Sequence, residues 1–195
     1  MAIPKRTERS RILVLDAADA AFRELGFAST SVEEIARRSG LTRKTVYNLF
    51  GSKDEIAFQL IARVEAGDEV YRARMIADED ALALLEKVFL DSAHWCLANP
   101  SIARIALAPA ERPSLEPPRD RPSFQRLVRD HLMLGQRQGT IRTDEDPNFM
   151  SLVLLGIYGQ AMLSALSGGP FREADIRQII RIVVEGIGAH TPPSS

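Results

Sequence analysis

The residue types best suited to recognition chemistry cluster in the stretch Gly40-Leu41-Thr42-Arg43-Lys44-Thr45-Val46-Tyr47-Asn48-Leu49-Phe50. If the apolar positions Val46, Leu49 and Phe50 face inward, then Arg43, Lys44, Thr45, Tyr47 and Asn48 face out, a set of hydrogen-bonding and cationic groups on one short helix. Arginine and lysine fit the two major-groove acceptors of guanine, and asparagine fits adenine. The same groups can instead sit on phosphates, which position a protein without specifying sequence. At least one of Lys44, Thr45 and Asn48 is therefore expected at a base edge. Thr30 and Thr42 stand where helices should begin, and their hydroxyls are placed either to cap the helix or to donate to a phosphate held by the free N–H groups. Lys53 falls in a first helical turn, against the helix dipole, a placement that a phosphate would compensate.

Three helices must hold these groups. From Ser10, apolar residues at Ile12, Leu15, Ala18, Phe22 and Leu25 recur at three- and four-residue steps and stop at Gly26, the pattern of an amphipathic helix. Thr30 with Glu33 forms a capping box for a second helix, with Val32, Ile35 and Ala36 inward. Gly40 supplies a turn residue with positive φ, and Thr42 caps the third helix. A brace helix, a glycine turn and a polar second helix are the parts of a helix-turn-helix.

Further along, Ser52-Lys53-Asp54-Glu55 caps a long fourth helix reaching about Met75. Helices follow at about 80–99, 101–107 and 123–139, the last two separated by a loop carrying five prolines between Pro109 and Pro122. An eighth helix opens at Asp146-Pro147 and closes at Gly168-Gly169-Pro170, and a ninth spans about Glu173 to Ala189. No stretch alternates apolar and polar residues, so the fold class expected is all-α, with about nine helices. The division expected is a DNA-binding head over residues 1–51 and a separate helical body over 52–195.

Charge supports that division. The formal net charge is only −1, but residues 1–53 carry ten Lys/Arg against six Asp/Glu, and the remainder fifteen against twenty. A basic end on an acidic body suits a phosphate-binding module joined to something that does not bind nucleic acid. With 45% hydrophobic and 26% charged residues the chain has an ordinary globular composition. Cys96 is the single cysteine, so an intrachain disulfide or a cysteine metal cluster is excluded and a reducing, cytoplasmic setting is expected. The residues Met1 to Arg6 show no signal-like apolar run. Phe149–Leu166 is apolar enough to raise a membrane span but is short for one and interrupted by polar residues, so it reads as a buried helix. There is no glycine-rich phosphate loop, no spaced metal ligands and no carboxylate-bridged metal pattern, so no catalytic residue, metal or cofactor is expected.

The joined series of an amphipathic helix ending in Gly26-Phe27, then Thr30-Ser31-Val32, Ile35-Ala36, Gly40-Leu41-Thr42, Thr45-Val46-Tyr47, Phe50 and Lys53-Asp54-Glu55 resembles the TetR family of bacterial transcriptional regulators. Relatives often carry glycine where Lys44 stands and His-Tyr where Asn48-Leu49 stands, so this protein's own specificity should lie at those positions. The resemblance implies that Tyr47 reaches the DNA backbone, that Lys53 holds a phosphate, and that the protein is a homodimeric repressor on a palindromic operator. It also implies that the last two helices pair with their mates; candidates there are Gly156, Gly159, Ala161, Ala165, Ile176, Ile180, Val183 and Ile187. The eighth helix, apolar nearly all round, would otherwise be the centre of a monomer core. The resemblance further implies an effector pocket, for which Phe89, Trp95, Phe124, His131, Met133, Phe149, Tyr158 and Met162 are candidates, each with plain core packing as its alternative. Few charges fall on inward faces, so a mainly apolar or aromatic effector is expected. The competing functions are a DNA-binding activator or architectural protein of this fold without an effector and, remotely, a helical enzyme.

Overall fold

The computed structural model of the chain describes residues 6–65, 69–107, 114–117 and 123–187. It is helical, with no extended strand among the described residues: α1 (Arg6–Leu25), α2 (Val32–Ser39), α3 (Arg43–Phe50), α4 (Lys53–Glu65), α5 (Glu69–Ile76), α6 (Ala81–Ala98), α7 (Pro100–Leu107), α8 (Phe124–Gln138), α9 (Pro147–Leu166) and α10 (Glu173–Ile187). The expected long fourth helix is thus helical at both ends, over α4 and α5, and its continuity falls on residues 66–68, outside the described residues. Most of the proline-rich loop lies outside them as well.

Two compact units divide the chain, Met1–Val64 with Cys96–Ala106, and Glu65–Trp95 with Leu107–Ser195. In the first unit α1 buries Val14, Leu15, Ala18, Ala21 and Phe22. Ile12 and Leu25 are exposed, because they lie off the ends of that stripe and no element covers them. Against the stripe lie Val32, Ile35 and Ala36 of α2, Val46 and Phe50 of α3, and Ile56, Ala57 and Leu60 of α4, all buried. Gly26 at φ 81° and Gly40 at φ 69° end the first two helices in the left-handed region, where a Cβ is disfavoured. The Gly40 amide donates back to α2, the C-terminal stop that fixes the angle into α3.

The second unit has its core along α6, α8 and α9. Leu84, Leu85, Val88 and Phe89 are buried on α6, Leu127, Val128, Leu132 and Leu134 on α8, and Met150, Leu154, Tyr158 and Met162 on α9. Ser123 caps α8 and Gly139 closes it at φ 73°; Asp146 caps α9 with Pro147 in its first turn. The turn before α6 is tied down by Gln138, whose side-chain amide donates to the carbonyls of Asp78 and Glu79 while its oxygen accepts from the Ala81 amide. The α9 helix, Pro147–Leu166, is long and apolar enough to cross a membrane by length and composition. It is also packed against α8 on one side and α10 on another. Its opposite face is uncovered, with Phe149, Val153 and Ile157 exposed.

Candidate nucleic-acid interface

The recognition surface is built by a strict division of α3. Val46 is 1% exposed and Phe50 5%, while Thr42, Arg43, Lys44, Tyr47 and Asn48 are exposed and Thr45 partly so. That is the outward set expected from the spacing. Thr42 caps the helix, its Oγ accepting from the Thr45 amide at 3.1 Å, and its hydroxyl also pairs with that of Thr45 at 2.9 Å. Arg11 on α1 secures the other end: one guanidinium nitrogen donates to the Leu49 carbonyl at 2.7 Å and the group lies 4.4 Å from the centre of the Phe50 ring. A cation at a helix C-terminus answers the dipole, so α3 is fixed at both ends with its polar face free.

The second helix is capped one residue later than expected. Ser31, not Thr30, is the N-cap, with backbone angles of −98° and 160° and its hydroxyl accepting from the Glu34 amide at 3.1 Å. The sequence holds two overlapping capping boxes, Thr30…Glu33 and Ser31…Glu34, and tertiary burial decides between them. Thr30 is 1% exposed and its hydroxyl donates to the Gly26 carbonyl at 2.8 Å, closing the turn after α1. Thr30 therefore presents no hydroxyl to a phosphate here; Ser31, exposed beside it, does.

Lys53 is also more engaged than its sequence position suggests. Its ammonium donates to the carbonyls of Phe27 at 2.7 Å and Thr30 at 2.9 Å and stands 4.3 Å from the centre of the Phe27 ring. Those contacts compensate its place in the first turn of α4 and pin the α1–α2 turn to that helix. An ammonium has three donors, so one remains after the two carbonyls.

Charged groups set the rest of the surface. Glu34 accepts from Arg37 at 2.7 Å and from Arg38 at 2.7 Å, and Arg38 reaches on to Glu24 of α1 at 2.7 Å. The hydrogen bonds from Arg37 and then Arg38 hold the Glu34 carboxyl down to about 2. Glu33, expected only to close a capping box onto Thr30, pairs with Arg43 of α3 at 2.7 Å. Arg43 also lies 5.3 Å from the centre of the Tyr47 ring.

In the second unit the structure brings together some of the pocket candidates and separates others. Phe89, Phe124 and Tyr158 form one aromatic cluster, with ring centres 4.8 Å apart for Phe89–Tyr158 and 5.7 Å for Phe89–Phe124. The Tyr158 hydroxyl donates to Ser92 at 2.9 Å. His131 is buried, its Nδ1 donating to the Leu127 carbonyl at 2.7 Å, with the Tyr71 ring edge-on 6.2 Å away. A carbonyl only accepts, so Nδ1 carries the proton; burial lowers the ring's pKa and keeps it neutral. Met162 is buried, Trp95 is half-buried, and Met133 and Phe149 are exposed. Two open grooves, of about 350 Å³ and about 610 Å³, lie elsewhere on this unit, and of the candidates only Met133 lines one.

Of the pairing candidates, Gly156 is exposed and Ala161 and Ala165 are half-buried on α9, but Gly159 is buried. On α10 the residues Ile176, Ile180 and Val183 are buried against their own chain. Among its described residues, the large apolar side chain left exposed on that helix is Ile182, at 57%. The side chain of Ile187 lies outside the described residues. The period of α10 was legible, but which of its two apolar edges faces the chain was not.

A short brace helix, a glycine turn and a capped helix with an exposed cationic and amide face define a helix-turn-helix DNA-binding head. Residues 14–60 match the family model described as bacterial regulatory proteins, tetR family. The HTH-type transcriptional regulator TtgR of Pseudomonas putida is 32% identical over 88 residues, 44% of this chain and 42% of that protein. HbdR of Aromatoleum sp. (strain CIB), also an HTH-type transcriptional regulator, is 34% identical over 61 residues, 31% of this chain and 27% of that one. The alignments thus span less than half the length of these curated relatives. The fold continues through the whole chain: the Thermus thermophilus FadR, a TetR-family repressor solved with lauroyl-CoA, superposes with a TM-score of 0.75 over 95% of this chain and 98% of that one, at 21% identity. The FadR of Bacillus subtilis, solved with stearoyl-CoA, gives 0.68 over 90% and 98%, at 16% identity. Over residues 14–60 the chain is thus similar to the tetR family of bacterial regulatory proteins, and over nearly its whole length it shares the fold of the two FadR repressors.

Proposed function

We propose that this protein is a cytoplasmic, homodimeric transcriptional repressor that binds a palindromic operator through α3 and is released by a small, mainly apolar or aromatic effector. The observation that carries the reading is the face of α3, where Thr42, Arg43, Lys44, Tyr47 and Asn48 are exposed above a buried base of Val46 and Phe50. Lys44 and Asn48 read bases; Ser31, Thr42, Tyr47 and the third donor of Lys53 hold phosphates. One such head makes too few contacts for useful specificity, so two act on a half-site pair related by two-fold symmetry. The uncovered apolar stripe of α9, Phe149, Val153, Gly156 and Ile157, is the surface on which the second copy sits.

The effector would enter the second unit at the aromatic cluster of Phe89, Phe124 and Tyr158. Elsewhere in that unit His131, buried beside Tyr71, has a bare Nε2 without a partner among the described residues that is able to accept a hydrogen bond. By linkage an effector weakens DNA binding only by its differential affinity for the two states of the protein. A reading without any effector is favoured by one observation, that both grooves are open and neither includes the aromatic cluster. The deciding experiment is selection of bound duplexes from random DNA, repeated with a metabolite panel. A palindrome lost in the presence of one compound is the expected result. Recovery of no palindrome overturns the dimeric repressor, and a palindrome that no compound disturbs leaves the effector-free regulator. In the selected operator, Lys44→Ala and Asn48→Ala should each cost about 1–3 kcal/mol and relax one base position, measured by titrating single-base operator variants.

A further inference from the structure

The α3 face is not uniformly cationic. Glu33, in the first turn of α2, places a carboxylate oxygen 2.7 Å from the guanidinium of Arg43, the first residue of α3. Both side chains are more than half exposed, 62% for Arg43 and 53% for Glu33, so nothing in the fold obliges them to meet. An exposed ion pair of this kind contributes little to stability. The other ion pairs of α2 are different: Glu34 bridges Arg37 and Arg38, and Arg38 ties α2 to α1. The Glu33–Arg43 pair stands instead between the brace helix and the start of the reading helix, beside the capping hydroxyls of Ser31 and Thr42.

We infer that Glu33 attenuates sequence-independent DNA binding: its carboxylate holds Arg43 across the angle between α2 and α3 and opposes phosphate binding there. This rests on the DNA-binding reading of α3. A phosphate approaching Arg43 must displace a carboxylate of the same sign and then lie next to it. Any DNA, whatever its sequence, meets that repulsion. A correct operator offsets it with base contacts from Lys44 and Asn48 that random DNA does not supply. The residue thus lowers affinity for every duplex by a common factor, leaving discrimination between duplexes to the base contacts.

The test compares wild type, Glu33→Gln, Arg43→Gln and the double variant on a fixed random-sequence duplex, by fluorescence anisotropy across a salt series, with melting temperatures as the control for folding. Glutamine keeps the size and one acceptor oxygen of Glu33 and removes its charge. Glu33→Gln should tighten non-specific binding about threefold or more at low salt and steepen the slope of log K against log salt by about 0.9, one additional phosphate neutralised. In the Arg43→Gln background the same change should have a clearly smaller effect, because the cation it frees is gone. An unchanged slope in Glu33→Gln, weaker binding in that variant, or an equal effect in both backgrounds overturns the proposal. Failure of the underlying reading looks different: a wild-type protein whose duplex binding is absent or indifferent to salt has no nucleic-acid interface on α3, and the proposal falls with it.

Discussion

Lys53 is held inside the head and is proposed to hold a phosphate as well. Its two carbonyl contacts and its position over the Phe27 ring make it part of the head's internal structure, while its third donor points to a phosphate role. Removing it should therefore act twice. Lys53→Ala should lower stability by about 1–3 kcal/mol, since charged hydrogen bonds to two carbonyls are lost, read as a lower midpoint in urea. It should also weaken binding to every duplex alike and reduce the salt slope, without relaxing any base position. A variant with unchanged stability would show that the two carbonyl contacts carry nothing, and one with an unchanged salt slope would remove Lys53 from the phosphate contacts. Position alone marked this residue as unusual, because a lysine in a first turn opposes the dipole. That the compensation comes from inside the head is a tertiary fact: the acceptors, Phe27 and Thr30, lie more than twenty residues earlier in the chain.

At the scale of elements, α2 is the brace, and its charges fasten it. Glu34 receives Arg37 and Arg38 together, and Arg38 continues to Glu24 on α1. The Glu34 carboxyl is held at about 2, below its ordinary 4.5, so its folded-state pKa is depressed. Such a group stabilises the fold above the unfolded value, and that contribution is lost as pH falls from 4.5 through about 2. Acid titration of the head's melting temperature should show this loss in the wild type and a shallower one in Glu34→Gln, because the variant has no proton to bind there. Equal acid sensitivity in the two proteins would remove Glu34 from the account. The exposed setting makes the effect small and weaker at high salt.

For the whole molecule the decisive surface is the uncovered stripe of α9. Phe149, Val153, Gly156 and Ile157 fall on one side of a helix whose other sides are packed against α8 and α10. A charge placed in a buried interface between copies would be desolvated without a partner, whereas on a free monomer surface the same charge is harmless. Ile157→Asp should therefore give a monomer by sedimentation at micromolar concentration, with helicity retained and operator affinity strongly reduced. A dimer of undiminished stability in that variant would move the interface elsewhere.

The sequence by itself determined the helices, their stops and the polar face of α3. These follow from local causes: a 3.6-residue apolar period, hydroxyl and carboxylate caps, and glycines where φ must be positive. Gly40 takes the positive φ expected of it, Gly26 and Gly139 end their helices where expected, and the exposed set on α3 is the expected one. What only the tertiary structure decided were choices between locally equivalent options. Thr30 and Ser31 are equally good caps until burial takes the first, and α10 is apolar on two edges until the rest of its chain covers Ile176, Ile180 and Val183 and leaves Ile182 outside. The partners of Arg43, Arg11 and Lys53 were settled in the same way, because a long charged side chain reaches several acceptors and packing between helices distant in sequence selects among them.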